Sequence, residues 1–112
     1  LFEQEKSLYL YPIRFIYLPC SAQVITNHQA LFAVSKKQFK STVVRNKIKR
    51  RLREAHRLHK YLLATRKSSS VYFLMGYIYI GSSPKGNFQT IQKKVITAIN
   101  HLKNIHEKAL LQ

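Results

Sequence analysis

Residues 34–60, VSKKQFKSTVVRNKIKRRLREAHRLHK, hold more than half of the chain's 20 Lys and Arg and contain neither Gly nor Pro. The run predicts a helix from about Thr42 to about Arg66, with Ser41 as N-cap and the Lys67-Ser68-Ser69-Ser70 loop beyond it. On a wheel of about 100° per residue, Val44, Ile48, Leu52, Ala55, His59 and Leu62 fall within an arc of about 80°. Arg45, Lys49, Arg50, Arg53, Arg57 and Lys60, with Asn46 among them, fall within about 140° on the opposite side. Lys47 and Arg51 flank the apolar stripe, where their stems can lie along the core while the charges reach water. One helix therefore carries a core face and a separate face of stacked cations.

A solvated helix face normally interleaves Glu with Lys at four-residue spacing. Here Glu54 is the one acid in the helix, and Arg45, Lys49, Arg53 and Arg57 repel one another at (i, i+4). Phosphates would neutralise that row. The whole chain agrees: 20 cations face four acids, for a formal charge of +16 over 112 residues. A polyanion is the expected partner, nucleic acid ahead of anionic membrane. A DNA-reading helix is usually short and carries uncharged Asn, Gln or Ser at its base-reading positions, whereas this one is long and offers Asn46 alone. The neighbouring strands are aromatic, with Tyr9, Tyr11, Phe15 and Tyr17 in one and Tyr72, Phe73, Tyr77 and Tyr79 in another. Aromatics on a sheet beside cations suit single-stranded RNA, although core packing explains most such residues equally well.

Outward from the basic helix, Ala30–Ser35 is a short apolar run that reads as a strand buried on both faces. Ser7–Leu18 reads as strand, with Pro12 forcing a break or an edge position. Pro19–Gln29 is polar and turn-like, and Leu1–Lys6 reads as the tail of a helix. Val71–Ile80 is a further strand with Gly76 inside it and Gly81 at its end. Gly81–Asn87 is a loop whose Asn87 is placed to cap the helix Phe88–Leu111. In that helix Ile91, Val95, Ala98, Ile99, Leu102, His106 and Ala109 recur at three- and four-residue steps. With 46% hydrophobic residues the chain can bury a core, and its length is that of one domain. Strands separated by long helices give an α/β two-layer sandwich, a single domain over residues 1–112. The first residue is Leu1 and not Met, so the helix at the start is expected to be truncated.

The same composition excludes much chemistry. All four acids are Glu (Glu3, Glu5, Glu54, Glu107), and no two are set on a common face beside the basic helix. Holding Mg²⁺ for phosphodiester hydrolysis needs such pairs. His56 and His59 have the (i, i+3) spacing of a metal pair, but no Cys or Asp nearby completes four ligands; His59, on the apolar stripe, reads as a core residue. Cys20, alone and without an activating base, is neither nucleophile nor disulfide, and suits a reducing compartment. No apolar run reaches membrane-span length and no signal peptide is visible, so a cytoplasmic location is expected.

Val34-Ser35-Lys36-Lys37, then Arg45-Asn46-Lys47-Ile48-Lys49-Arg50 and Arg53-Glu54, resemble the bacterial ribonuclease P protein component. That family carries an Arg-Asn-Arg core in a basic helix after a strand ending in Ser-Lys-Lys. Lys47 departs from the pattern, keeping the charge without the bidentate fork of Arg. The resemblance spans almost the whole chain. It implies a small mixed sheet with helices, the basic helix forming a left-handed βαβ crossover as in domain 2 of ribosomal protein S5. It implies the protein subunit of a ribonucleoprotein endoribonuclease that removes the 5′ leader of precursor tRNA, with the active site and its Mg²⁺ held by the RNA subunit.

By the same resemblance Lys36, Lys37, Arg45, Asn46, Lys47, Lys49, Arg50, Arg53 and Arg57 would contact the RNA subunit or lie near the cleavage site. Phe2 and one face of the first strand would line the leader cleft. Either Phe15 and Tyr17 or Ile16 and Leu18 face it, with preference for the aromatic pair. The partners implied are ribonuclease P RNA and the precursor tRNA leader, with no membrane and no stable protein partner. The alternatives are a structural RNA-binding protein of ribosomal type, whose sheet would be packed shut, and a membrane-surface protein, for which the apolar stripe is too narrow.

Overall fold

Pro12 divides the first apolar stretch into two strands, β1 (Lys6–Leu10) and β2 (Ile13–Ser21), which pair antiparallel about a cis Tyr11–Pro12 peptide. The computed structural model describes residues 6–21, 28–63, 71–82 and 87–111. The remaining elements are β3 (Gln29–Val34), α1 (Thr42–His59) with a 3₁₀ turn at Lys60–Leu63, β4 (Val71–Tyr79) and α2 (Phe88–Leu111). The sheet order is β1-β2-β4-β3. β2 and β4 are antiparallel, while β3 and β4 are parallel and joined through α1, giving a mixed α/β sheet with both helices on one face.

Each helix starts where its cap residue stands. Ser41 Oγ accepts from the Val44 amide (3.3 Å), and Asn87 Oδ1 accepts from Gln89 (2.8 Å) and Thr90 (3.4 Å). Ile48, Leu52 and Ala55 of α1 and Ile91, Val95, Ala98, Ile99 and Leu102 of α2 are buried, as their periodicity requires. They meet Ile13, Phe15 and Tyr17 of β2 and Phe73, Met75, Tyr77 and Tyr79 of β4 in one cluster. Full burial of a side chain the size of Ile48 or Leu52 contributes about 1.5–3 kcal/mol.

Four expectations need correction. β2 runs on through Pro19 and Cys20, which the sequence places in a polar turn. Among the described residues the β1 ladder reaches the Lys6↔Tyr17 pair, and Pro19 stands opposite Phe73 of β4. Cys20 is therefore a buried residue of this strand and not part of a loop. β3 is an edge strand with Leu31 66% exposed, not a strand covered on both faces. The α-helical part of α1 ends at His59 and is followed by the 3₁₀ turn, short of Arg66. Lys6 opens β1 rather than closing a helix, and the helix expected over Leu1–Glu5 lies outside the described residues.

Candidate nucleic-acid interface

The strand ends and the turn that follows β3 place Lys36, Lys37 and Lys40 at one end of the sheet. β3 and β4 finish together at the Val34↔Tyr79 pair, and β2 begins opposite Tyr79 at Ile13. The connection from β3 to α1 carries Lys36, Lys37 and Lys40, all exposed, and it is pinned at several points. The Phe39 amide donates to Ser35 O (3.1 Å) and the Lys37 amide to Ser35 Oγ (3.2 Å). Gln38 Nε2 donates to Gly81 O (2.9 Å), and the buried Phe39 ring packs on Tyr79 with centroids 6.0 Å apart. The three lysines are thus presented by an ordered turn.

Arg45 belongs to that turn. Its Nη1 donates to the carbonyls of Phe39 (2.7 Å) and Lys40 (2.9 Å), and its Nη2 to Thr42 Oγ1 (3.2 Å). Two further members of the row are also engaged within the chain. Arg53 lies over the Phe32 ring at 5.6 Å from its centroid. Arg57 donates Nε to Glu54 Oε2 (3.1 Å) and Nη2 to Oε1, and these bonds hold the Glu54 carboxyl below its ordinary range and Arg57 above its own. The repulsion read from the sequence along Arg45, Lys49, Arg53 and Arg57 is therefore relieved in part by the protein itself. Asn46, Lys47 and Arg50 are exposed on the outward face and Lys49 is half-buried beside them.

β3 separates this basic face from a second feature. Phe32 points under α1, while Leu31 points to the other side of the sheet, which neither helix covers. There Ile16 and Leu18 of β2, Leu74 and Gly76 of β4, and Gln29 and Leu31 of β3 line a concavity of about 450 Å³. Gly76 makes its floor: a Cβ there would stand 2.7 Å from Ile16 Cγ1. The preference for Phe15 and Tyr17 on this face is thereby overturned. Phe15 is 0% and Tyr17 5% exposed, both under the helices, where Tyr17 OH lies 3.1 Å from His101 Nε2 and Phe15 packs on Tyr77. The open face carries the aliphatic pair instead. Phe2 lies outside the described residues.

That outcome had a signal in β4. Its odd positions, Phe73, Met75, Tyr77 and Tyr79, are uniformly bulky, whereas the even set contains Gly76. A glycine at the centre of a strand fills no core, so the odd set faces the helices, and the β2–β4 register then buries Phe15 and Tyr17.

His56 and His59 tie elements of the fold together. His56 Nδ1 shares a hydrogen bond with Tyr77 OH (2.9 Å), and its ring packs edge-on against Phe32. Burial, then the positive charges of Lys60 and His28, push its pKa down to about 4, while burial pushes that of Tyr77 up. His59 Nε2 lies 2.7 Å from Gln92 Nε2, tying α1 to α2. Among the described residues no three His, Cys, Asp or Glu side chains converge as a metal site, and Glu54 is engaged with Arg57. Among the described residues, too, no helix is long and apolar enough to cross a membrane.

Residues 1–103 match the family model described as Ribonuclease P. Ribonuclease P protein components from two strains of Porphyromonas gingivalis are each 31% identical over 94 residues, covering 83% of this chain and 68% of theirs. Two solved structures share the fold. A Staphylococcus aureus RNase P protein mutant with defective mRNA degradation activity superposes with a TM-score of 0.63 at 24% identity, over 91% of this chain and 78% of that one. The S. aureus RNase P protein gives 0.54 at 22% identity, over 94% and 86%.

Proposed function

Since this chain belongs to the ribonuclease P protein family, we propose that it docks on the family's RNA subunit through the cations of α1 and the β3–α1 turn. On the open face of its sheet it holds the single-stranded 5′ leader of precursor tRNA. The observation that carries this reading is the side-by-side arrangement of two surfaces of different character. One is a cationic face with an ordered lysine turn, and the other is an apolar concavity on the far side of β3 that neither α1 nor α2 covers.

In this division of labour the RNA subunit holds the Mg²⁺ that drives hydrolysis, and the protein acts electrostatically. Lys36, Lys37, Lys40, Lys47, Lys49 and Arg50 neutralise phosphates brought close by RNA folding and substrate docking. The Mg²⁺ concentration those steps need falls accordingly. Arg45 acts on the same surface through the carbonyls it holds. A structural RNA binder would use the basic face alone, and nothing in that role calls for an open apolar sheet beside it.

Binding to a bacterial ribonuclease P RNA, followed across a salt titration, tests the docking face. Six to eight neutralised phosphates give a slope of log K against log salt of roughly −4 to −7. A slope of about −1 to −2 would remove the basic helix from the interface.

A further inference from the structure

Beyond the concavity, the open face ends in an exposed group that packing does not explain. Tyr9 stands on β1 directly opposite Arg14 of β2, and Arg14 is opposite Ile78 of β4. By strand alternation all three side chains share the face of Ile16, Leu18 and Gly76. Tyr9 is 71% and Tyr11 49% exposed, their ring centroids 6.4 Å apart and their planes inclined by 35°. Arg14 is exposed as well. Of the other strand aromatics, Phe15, Tyr17, Phe73, Tyr77 and Tyr79 are buried and Phe32 and Tyr72 are half-buried.

We propose that Tyr9, flanked by Arg14 and Tyr11, is a stacking site for one unpaired nucleobase of an RNA strand crossing the open face. This deepens the assignment of that face to the leader and rests on it. The position fits the chemistry. Moving from Ile16 to Arg14 advances one step of about 7 Å along β2, out of the aliphatic concavity and onto a surface with an aromatic ring and a guanidinium. Every base has a π-face for the ring, whatever its sequence, and the guanidinium can meet the phosphate beside it. The basic turn at Lys36 and Lys37 leaves the same end of the sheet from its opposite edge, about three strand spacings, or about 14 Å, from β1. A strand spanning that end thus meets phosphate-binding cations at one edge and a base-stacking ring at the other. With a net charge of +16, the chain favours a polyanion over an apolar protein partner at an exposed tyrosine next to an arginine.

The test uses the complex of this protein with a bacterial ribonuclease P RNA, and precursor tRNAs carrying 2-aminopurine at single leader positions. Wild type should quench the fluorescence strongly at one position. Tyr9→Ala should abolish that quenching and weaken leader-bearing substrate by about ten-fold, while Tyr9→Phe, which keeps the ring, retains both. Arg14→Ala should weaken the same substrates and flatten their salt dependence. Quenching and affinity unchanged in Tyr9→Ala, no quenched position in wild type, or an equal loss with mature tRNA would each overturn the stacking site. A wild-type protein that fails to stimulate the RNA at all would instead overturn the functional reading beneath it.

Discussion

Arg45 makes three hydrogen bonds within the chain, to the Phe39 and Lys40 carbonyls and to Thr42 Oγ1. Arg45→Lys keeps the charge and loses the fork. It should cost about 1 kcal/mol of stability, read by urea unfolding, and weaken RNA binding by more than one phosphate contact because the lysine turn loosens with it. His56 makes a separate expectation. Its pKa falls from the ordinary 6.5 to about 4 in the folded chain, so between those pH values the unfolded state binds the extra proton. The contribution is complete above pH 6.5 and is lost as pH falls through about 4. Discounted for solvent screening, it amounts to roughly 1–2 kcal/mol, and His56→Gln should flatten that part of the stability profile. Unfolding midpoints at pH 7 and pH 4.5 decide the matter. Neither role is plain from residue type: two of the three partners of Arg45 are backbone carbonyls, and Tyr77 is on another element.

At the scale of elements, α1 was legible because its 3.6-residue period separates cations from apolar residues, and both faces lie where the wheel puts them. Substitutions on the two faces should therefore act on different observables. Leu52→Ala should cost about 2–5 kcal/mol of stability. Lys47→Ala and Arg50→Ala should stay within about 0.5 kcal/mol of wild type while each reduces the salt slope of RNA binding by about one. β2 was not legible to the same degree. Phe15 and Tyr17 alternate with Ile16 and Leu18, both sets are apolar, and period two alone cannot say which meets the helices. The register against β4 decides it, with Gly76 marking the open side. β3 misled for a related reason, since an edge strand between a core and an apolar groove is apolar on both faces. Gly76→Val should push Ile16 aside and deform the groove, weakening leader-bearing substrate by roughly ten-fold with docking to the RNA subunit retained. Affinities for substrates with and without a leader measure that difference.

Across the whole molecule, charge and fold divide the work. The helices and the buried face of the sheet form the core, with a lysine-bearing turn at one end and one sheet face that neither helix covers. The net charge of +16 was readable from composition, as was the anionic partner. The separation of a cationic edge from an apolar floor was not, because it depends on which strand lies at the edge. The central claim is that this chain makes a ribonuclease P RNA competent at low metal concentration. Cleavage of a precursor tRNA by a bacterial ribonuclease P RNA, at near-physiological Mg²⁺ with and without this protein, tests it most directly. Strong protein-dependent cleavage at the mature 5′ end is the expected result; tight binding to that RNA without stimulation would contradict the claim and leave a structural RNA binder.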